Sequence, residues 1–254
     1  MRTPLVELTL IIPAYNEAAR LPATLKTVLE FLRKSGITWE LLLADDGSVD
    51  DTPSIAAAAE NAVPNVRHLQ LIHRGKAAAI REGVNLATGR FIIFTDADLS
   101  TPIEYVDQAY ALLRGDSDIV IGTRESPQSR RIGEPEYRHL MGRVYNAVVQ
   151  LLVVPGINDT QCGFKGFRAA VARDLFRSAQ LYRDGAAPVR GPLVTGFDIE
   201  LLFLARKRGY RIDELPVVWR HVKGSNVRPV VDTFRMLRDA LQVRLNDLRG
   251  LYAE

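Results

Sequence analysis

Residues 91–98 read Phe91-Ile92-Ile93-Phe94-Thr95-Asp96-Ala97-Asp98, and this stretch decides the fold. Four successive apolar residues leave no polar face, so residues 91–94 predict a strand covered on both sides, as in a parallel sheet between helices. The run ends on two carboxylates one residue apart. Upstream the same alternation recurs. Residues 8–12, 40–44 and 65–71 predict three more strands, and residues 18–33, 51–60 and 76–87 predict the intervening helices, the second with Asp50 or Asp51 as N-cap. A β-α-β-α-β-α-β order requires a mostly parallel sheet with right-handed crossovers.

Downstream the signal is less regular. Helices are predicted over residues 103–113, 138–153 and 198–208, strands over 118–122 and 215–219, and Gly/Pro/Arg-rich loops over 123–137 and 181–192. The last segment places Val230, Phe234, Leu237, Leu241, Leu245 and Leu248 on one helical stripe, with Arg235, Arg238, Arg244 and Arg249 beside it. We therefore expect a single α/β domain over residues 1–226. Residues 227–254 are expected to form an amphipathic helix, packed on that domain or resting on anionic lipid.

With 254 residues, 47% hydrophobic and 25% charged, the chain is long enough for one sizeable core. A net charge of +3 is too small to argue for nucleic acid, although the basic residues cluster in 124–143 and 220–249, which suits a local anionic partner. Cys162 is the lone cysteine, so no intrachain disulfide can form; a reducing, cytoplasmic location is expected, with Cys162 a buried packing residue. The apolar start of the chain is interrupted by Glu7 and runs into the first strand, so it reads as structure rather than a signal peptide. No stretch approaches the roughly 20 apolar residues that span a bilayer.

Ligands of an open parallel sheet bind beyond the carboxyl ends of its strands. Three predicted strands deliver polar groups there: Pro13-Ala14-Tyr15-Asn16-Glu17, Asp45-Asp46-Gly47-Ser48 and Asp96-Ala97-Asp98. The last pair would repel itself without a cation, and a hard divalent ion, Mg²⁺ or Mn²⁺, suits two carboxylates completed by substrate phosphates. Gly75-Lys76 opens the third helix, where free amides and a lysine favour a phosphate. No GxGxxG follows the first strand and no Walker A sequence occurs, which argues against the oxidoreductase and P-loop classes. The remaining histidines have no zinc spacing.

These motifs, with Arg74-Gly75-Lys76, Gly122-Thr123-Arg124, Gln161-Cys162-Gly163-Phe164-Lys165 and Gly196-Phe197-Asp198-Ile199-Glu200, resemble the family-2 glycosyltransferases of GT-A (Rossmann-like) fold. Within them, the pattern is most similar to the polyprenyl-phosphate sugar synthases and their dolichyl-phosphate β-glucosyltransferase branch. It departs at Ala77, where many relatives carry a second glycine, and at His73. The resemblance implies inverting transfer of a hexose, glucose from UDP-glucose, to a polyprenyl phosphate, with a family-2 enzyme acting on a saccharide or small-molecule hydroxyl as the alternative. By the same resemblance Pro13, Tyr15 and Glu17 hold ribose and base, with Asp45 and Asp46 near the base. Lys76 lies near the diphosphate, and Asp96, Ala97 and Asp98 form the metal motif, with Asp96 and Asp98 as ligands. Arg124 and Arg138 bind the acceptor phosphate, with Arg131 a weaker candidate. A phosphate monoester is already anionic and needs positioning more than a general base. Asp198 is expected to orient sugar hydroxyls or acceptor, or to be only a helix N-cap. Peripheral contact with the cytoplasmic membrane face is the matching expectation for a lipid acceptor.

Overall fold

A computed structural model describes residues 5–183, 189, 195–222 and 229–253; for residues 138, 140 and 229–231 it describes the backbone alone. Most of the expected 181–192 loop and the start of the last helix lie outside these residues. The chain runs β1 (Leu8–Ala14), α1 (Leu21–Lys34), β2 (Trp39–Asp45), α2 (Thr52–Ala62), β3 (Val66–Gln70), α3 (Lys76–Leu86), β4 (Phe91–Phe94), α4 (Tyr105–Arg114) and β5 (Ile119–Thr123). There follow β6 (Arg130–Ile132), α5 (Glu136–Leu152), β7 (Lys165–Arg168), α6 (Ala169–Ser178), α7 (Phe197–Lys207), β8 (Ile212–Pro216), β9 (Val218–Arg220) and α8 (Pro229–Leu248).

Seven strands form one sheet in the order β3-β2-β1-β4-β7-β5-β8. The four amino-terminal strands are parallel, as expected, while β7 runs antiparallel between β4 and β5. Strand residues alternate between two cores. Leu8, Leu10, Ile12, Leu41, Leu43, Phe91 and Ile93 pack on one face, and Ile11, Leu42, Ala44, Ile92 and Phe94 on the other. That period of two explains why the strands read as continuous apolar runs.

Two expectations change on the carboxyl side. The expected loop 123–137 contains β6, which pairs with β9 in a separate two-stranded ribbon. The expected strand 215–219 is two strands, β8 and β9, parting at Val217. β7 and α6 were not anticipated. For the site, one topological fact matters most. The chain lays β2 and β3 on one side of β1 and then returns to place β4 on the other, so the order reverses between β1 and β4, where a crevice opens.

Candidate active site

β4 ends at this crevice, and its ladder extends one step further through Thr95 N–H donating to Ile11 O. The next residues turn sharply: Leu99 N–H donates to Asp96 O, with Leu99 at φ 47°. A left-handed leucine is uncommon and marks a turn that its surroundings over-determine. Asp98 is further held by Ser100 N–H donating to its Oδ1 at 2.9 Å, and the buried Ala97 methyl anchors the loop, its carbonyl accepting Thr24 Oγ1–H at 2.6 Å. Burial and the neighbouring Asp96 charge push the Asp98 carboxyl above its ordinary pKa.

Opposite stands Lys76, the first residue of α3, with Nζ 2.5 Å from Asp96 Oδ1. Gly75 reaches that helix at φ 96°. The amides of Arg74 and Gly75 both donate to Asp46 at 2.8 Å, so Asp46 ties β2 to the start of α3. Asp46 also contacts His73 Nδ1 at 2.7 Å, and the His73 ring stacks on Tyr15 with centroids 3.9 Å apart and an interplanar angle of 3°. Desolvation raises the Asp46 carboxyl despite these bonds. Asp45 accepts Ser48 N–H at 3.0 Å. Glu17 pairs with Arg20 at 2.6 Å, and Arg20 lies 3.9 Å from Asp98; burial raises the Glu17 carboxyl. Asp50, rather than the Asp51 side chain, serves the start of α2: its Oδ1 accepts Thr52 N–H.

Lys76, Asp96, Asp98, Arg124, Arg131, Asp198, Tyr145 and Trp219 share one cleft of about 380 Å³. Pro13, Tyr15, Glu17, Asp45 and Asp46 do not line it; they form the adjoining ends of β1 and β2. Because β7 is antiparallel, its first residue sits beside the last residue of β4, which brings the turn before it against Asp96. A Cβ on Gly163 would lie 1.9 Å from Asp96 Oδ2, so the glycine is what lets this turn pack directly against the carboxylate. Two hard oxygen donors with open space around them fit an ion that keeps water and substrate phosphates as its other ligands, as Mg²⁺ and Mn²⁺ do.

The sequence reading did not foresee the floor of the cleft. Lys165 is fully buried, its Nζ 2.7 Å from Asp198 Oδ1 and 2.6 Å from the Cys162 carbonyl, beneath the Phe94 ring. Asp198 is the second residue of α7 and pairs with this ammonium; Gly196 takes the N-cap position. The Gln161–Lys165 motif contained the lysine, but only the fold reveals its partner. Cys162 is buried as expected, and burial pushes its thiol up.

Arg124 is more committed than the sequence suggests. Its Nε and Nη2 donate to the two oxygens of buried Asp159 at 2.6 and 2.8 Å, and its guanidinium lies over Trp219 at 5.5 Å. Arg131 donates to Glu134 at 2.6 Å and also pairs with Glu125. Arg138 lies on α5, its side chain outside the described residues.

Comparison with known proteins agrees with this geometry. The profile of Glycosyl transferase family 2 matches residues 9–176. Dolichyl-phosphate beta-glucosyltransferase of Drosophila melanogaster is 34% identical over 98% of this chain and 78% of the relative, and that of Homo sapiens is 32% identical over the same shares. Among solved structures, a glucosyl-3-phosphoglycerate synthase from Mycobacterium tuberculosis in complex with UDP superposes with a TM-score of 0.64 at 18% identity, over 93% of this chain and 79% of that one. A Pyrobaculum calidifontis mannosyltransferase in complex with GDP-Man and Mn²⁺ gives 0.61 at 20% identity, over 96% and 64%. The fold is therefore GT-A, and the chain belongs to glycosyl transferase family 2.

Proposed function

We propose that the chain transfers glucose from UDP-glucose, with inversion, to a polyprenyl or dolichyl phosphate at the cytoplasmic face of a membrane. One observation carries this reading: Asp96 and Asp98 end β4 at the topological switch point, with Lys76 on Asp96 and the arginine-bearing wall of the same cleft opposite. Asp96 and Asp98 would hold Mg²⁺ or Mn²⁺, which supplies charge neutralisation at the departing diphosphate. Lys76 would leave Asp96 for that diphosphate. Pro13, Tyr15, Glu17, Asp45 and Asp46, at the ends of β1 and β2, would flank the ribose and base. Arg124, Arg131 and Arg138 would hold the acceptor phosphate, whose own charge makes it a nucleophile without a base. The names of the curated relatives support glucose and a lipid phosphate.

The helices beside the cleft suit a lipid acceptor. α5 and α8 pack together and both line the cleft, through Met141 and Tyr145 on one and Thr233 and Met236 on the other. Each carries an exposed stripe at seven-residue spacing, Tyr137, Val144 and Leu151 on α5 and Phe234, Leu241 and Leu248 on α8, every one of them 54–83% exposed. Exposed Arg143, Arg238, Arg244 and Arg249 accompany them. Apolar stripes bordered by cations fit an anionic bilayer surface. No helix among the described residues is long and apolar enough to cross a membrane.

The test is a donor screen of UDP- and GDP-sugars with Mn²⁺ or Mg²⁺ and farnesyl phosphate as acceptor, with products read by mass spectrometry. UDP-glucose should be consumed and a farnesyl-phospho-glucose formed. No transfer from any donor, or transfer only to a sugar hydroxyl, would overturn the proposal.

A further inference from the structure

α5 sends two adjacent polar side chains into the cleft, and neither finds a partner. Tyr145 is 4% exposed and Asn146 6%, yet the Tyr145 hydroxyl and Asn146 Oδ1 make no hydrogen bond among the described residues. Buried polar atoms without partners are rare in folded proteins and each one calls for a reason. Charged groups around them are paired. Asp159 is satisfied by Arg124, Lys165 by Asp198 and the Cys162 carbonyl, and Asp239 accepts both Tyr182 O–H and Gly196 N–H. Histidines aside, Tyr145 and Asn146 are the uncharged side chains among the unpartnered ones, and they stand next to each other on one wall of the cleft.

What would satisfy both is chemically narrow. Burial and the charges of Asp198 and Asp239 push the Tyr145 phenol up, so it stays a donor. Asn146 Oδ1 needs a donor in return. A phosphate dianion can accept from the phenol but offers Oδ1 nothing, and the same two aspartates repel it. An alcohol hydroxyl both donates and accepts and carries no charge. The polyol that must enter this cleft, on the glucosyl-transfer reading that this step rests on, is the hexose attached to the diphosphate at Asp96 and Asp98.

We propose that Tyr145 and Asn146 bind hydroxyls of the donor hexose and set which sugar is accepted. A site built to hydrogen-bond a hydroxyl rejects the analogue lacking it, because the protein atoms are then left buried and unpaired.

The experiment measures kcat/KM for UDP-glucose and its four monodeoxyglucose analogues, with farnesyl phosphate as acceptor, in wild type, Tyr145→Phe and Asn146→Leu. Wild type should lose on the order of 10- to 100-fold against at least one deoxy donor. Tyr145→Phe should lose a similar factor with UDP-glucose and then no longer distinguish it from the analogue missing the same hydroxyl. Asn146→Leu should do so at its own position. Both variants should melt at or above the wild-type temperature, since each removes a polar atom that has no partner in the free protein. If Tyr145→Phe keeps the full wild-type preference at every position, if it changes only the KM for farnesyl phosphate, or if wild type ignores every deoxy change, the inference is overturned while glucosyl transfer stands. A wild type that transfers no glucose overturns both.

Discussion

The guanidinium of Arg124 faces two ways: it lines the cleft, and it neutralises a carboxylate with no access to water. Asp159 is wholly buried, and Arg124 holds its pKa down to about 2, against an ordinary 3.8. A depressed carboxyl stabilises the fold fully above its unfolded pKa and loses that contribution as pH falls toward the folded one. Removing the cation leaves a charge buried and uncompensated, which costs about 3–5 kcal/mol, far more than an exposed pair is worth. We expect Arg124→Met to lower stability by that amount in urea unfolding at neutral pH. The deficit should shrink as the pH falls through the 3.8-to-2 window, and adding Asp159→Asn should recover most of it. A variant as stable as wild type would mean that Arg124 serves the ligand alone. Lys165 and Asp198 repeat the device under the opposite wall, where the pair fixes an anion that faces the substrate.

At the scale of elements, what was readable in sequence was what is local. Phe91–Phe94 announced β4 because all four residues are buried, and the turns after β1, β2 and β4 announced a site because parallel strands deliver their carboxyl ends together. β7 was silent. It is four residues long with a charge at each end, its place in the sheet comes from ladders with the sequence-distant β4 and β5, and its buried lysine meets Asp198 only thirty-three positions later. β6 and β9 are three residues each and exist only through one another. α6 carries a readable stripe in Val171, Ala172, Leu175 and Phe176, directly after the short strand β7. Likewise Arg124 was recognised as a site residue while its counter-ion, buried Asp159, carried no local signal. α8 was readable as amphipathic, but the exposure of Phe234, Leu241 and Leu248 gives that stripe its meaning. Replacing Leu241 and Leu248 by serine removes apolar area that α8 does not bury against the domain. Thermal stability should change little, whereas co-sedimentation with phosphatidylglycerol vesicles should fall several-fold. Unchanged binding would place the membrane contact elsewhere.

Across the whole molecule, the charges of the cleft are paired internally: Lys76 with Asp96, Lys165 with Asp198, Arg131 with Glu125 and Glu134. A donor can enter only by exchanging partners. Lys76 must give up Asp96 for a diphosphate, and that exchange is favourable only if another cation takes its place beside Asp96 and Asp98. Nucleotide and divalent ion should therefore bind as a pair, each poorly alone. A ligand present at 100 times its Kd stabilises the folded state by about 2.7 kcal/mol. For a domain of this size that is a rise in Tm on the order of 5–10 °C. UDP with Mn²⁺ should produce a shift of that order in a thermal melt, while UDP alone and Mn²⁺ alone together account for only a small part of it. Asp98→Asn should abolish the surplus and leave the small separate shifts in place, because it removes one charge of the ion's site without touching Lys76. Strictly additive shifts in the wild type would show that Lys76 and the ion do not exchange at Asp96, and the coupling between donor and metal would then need another origin in the fold.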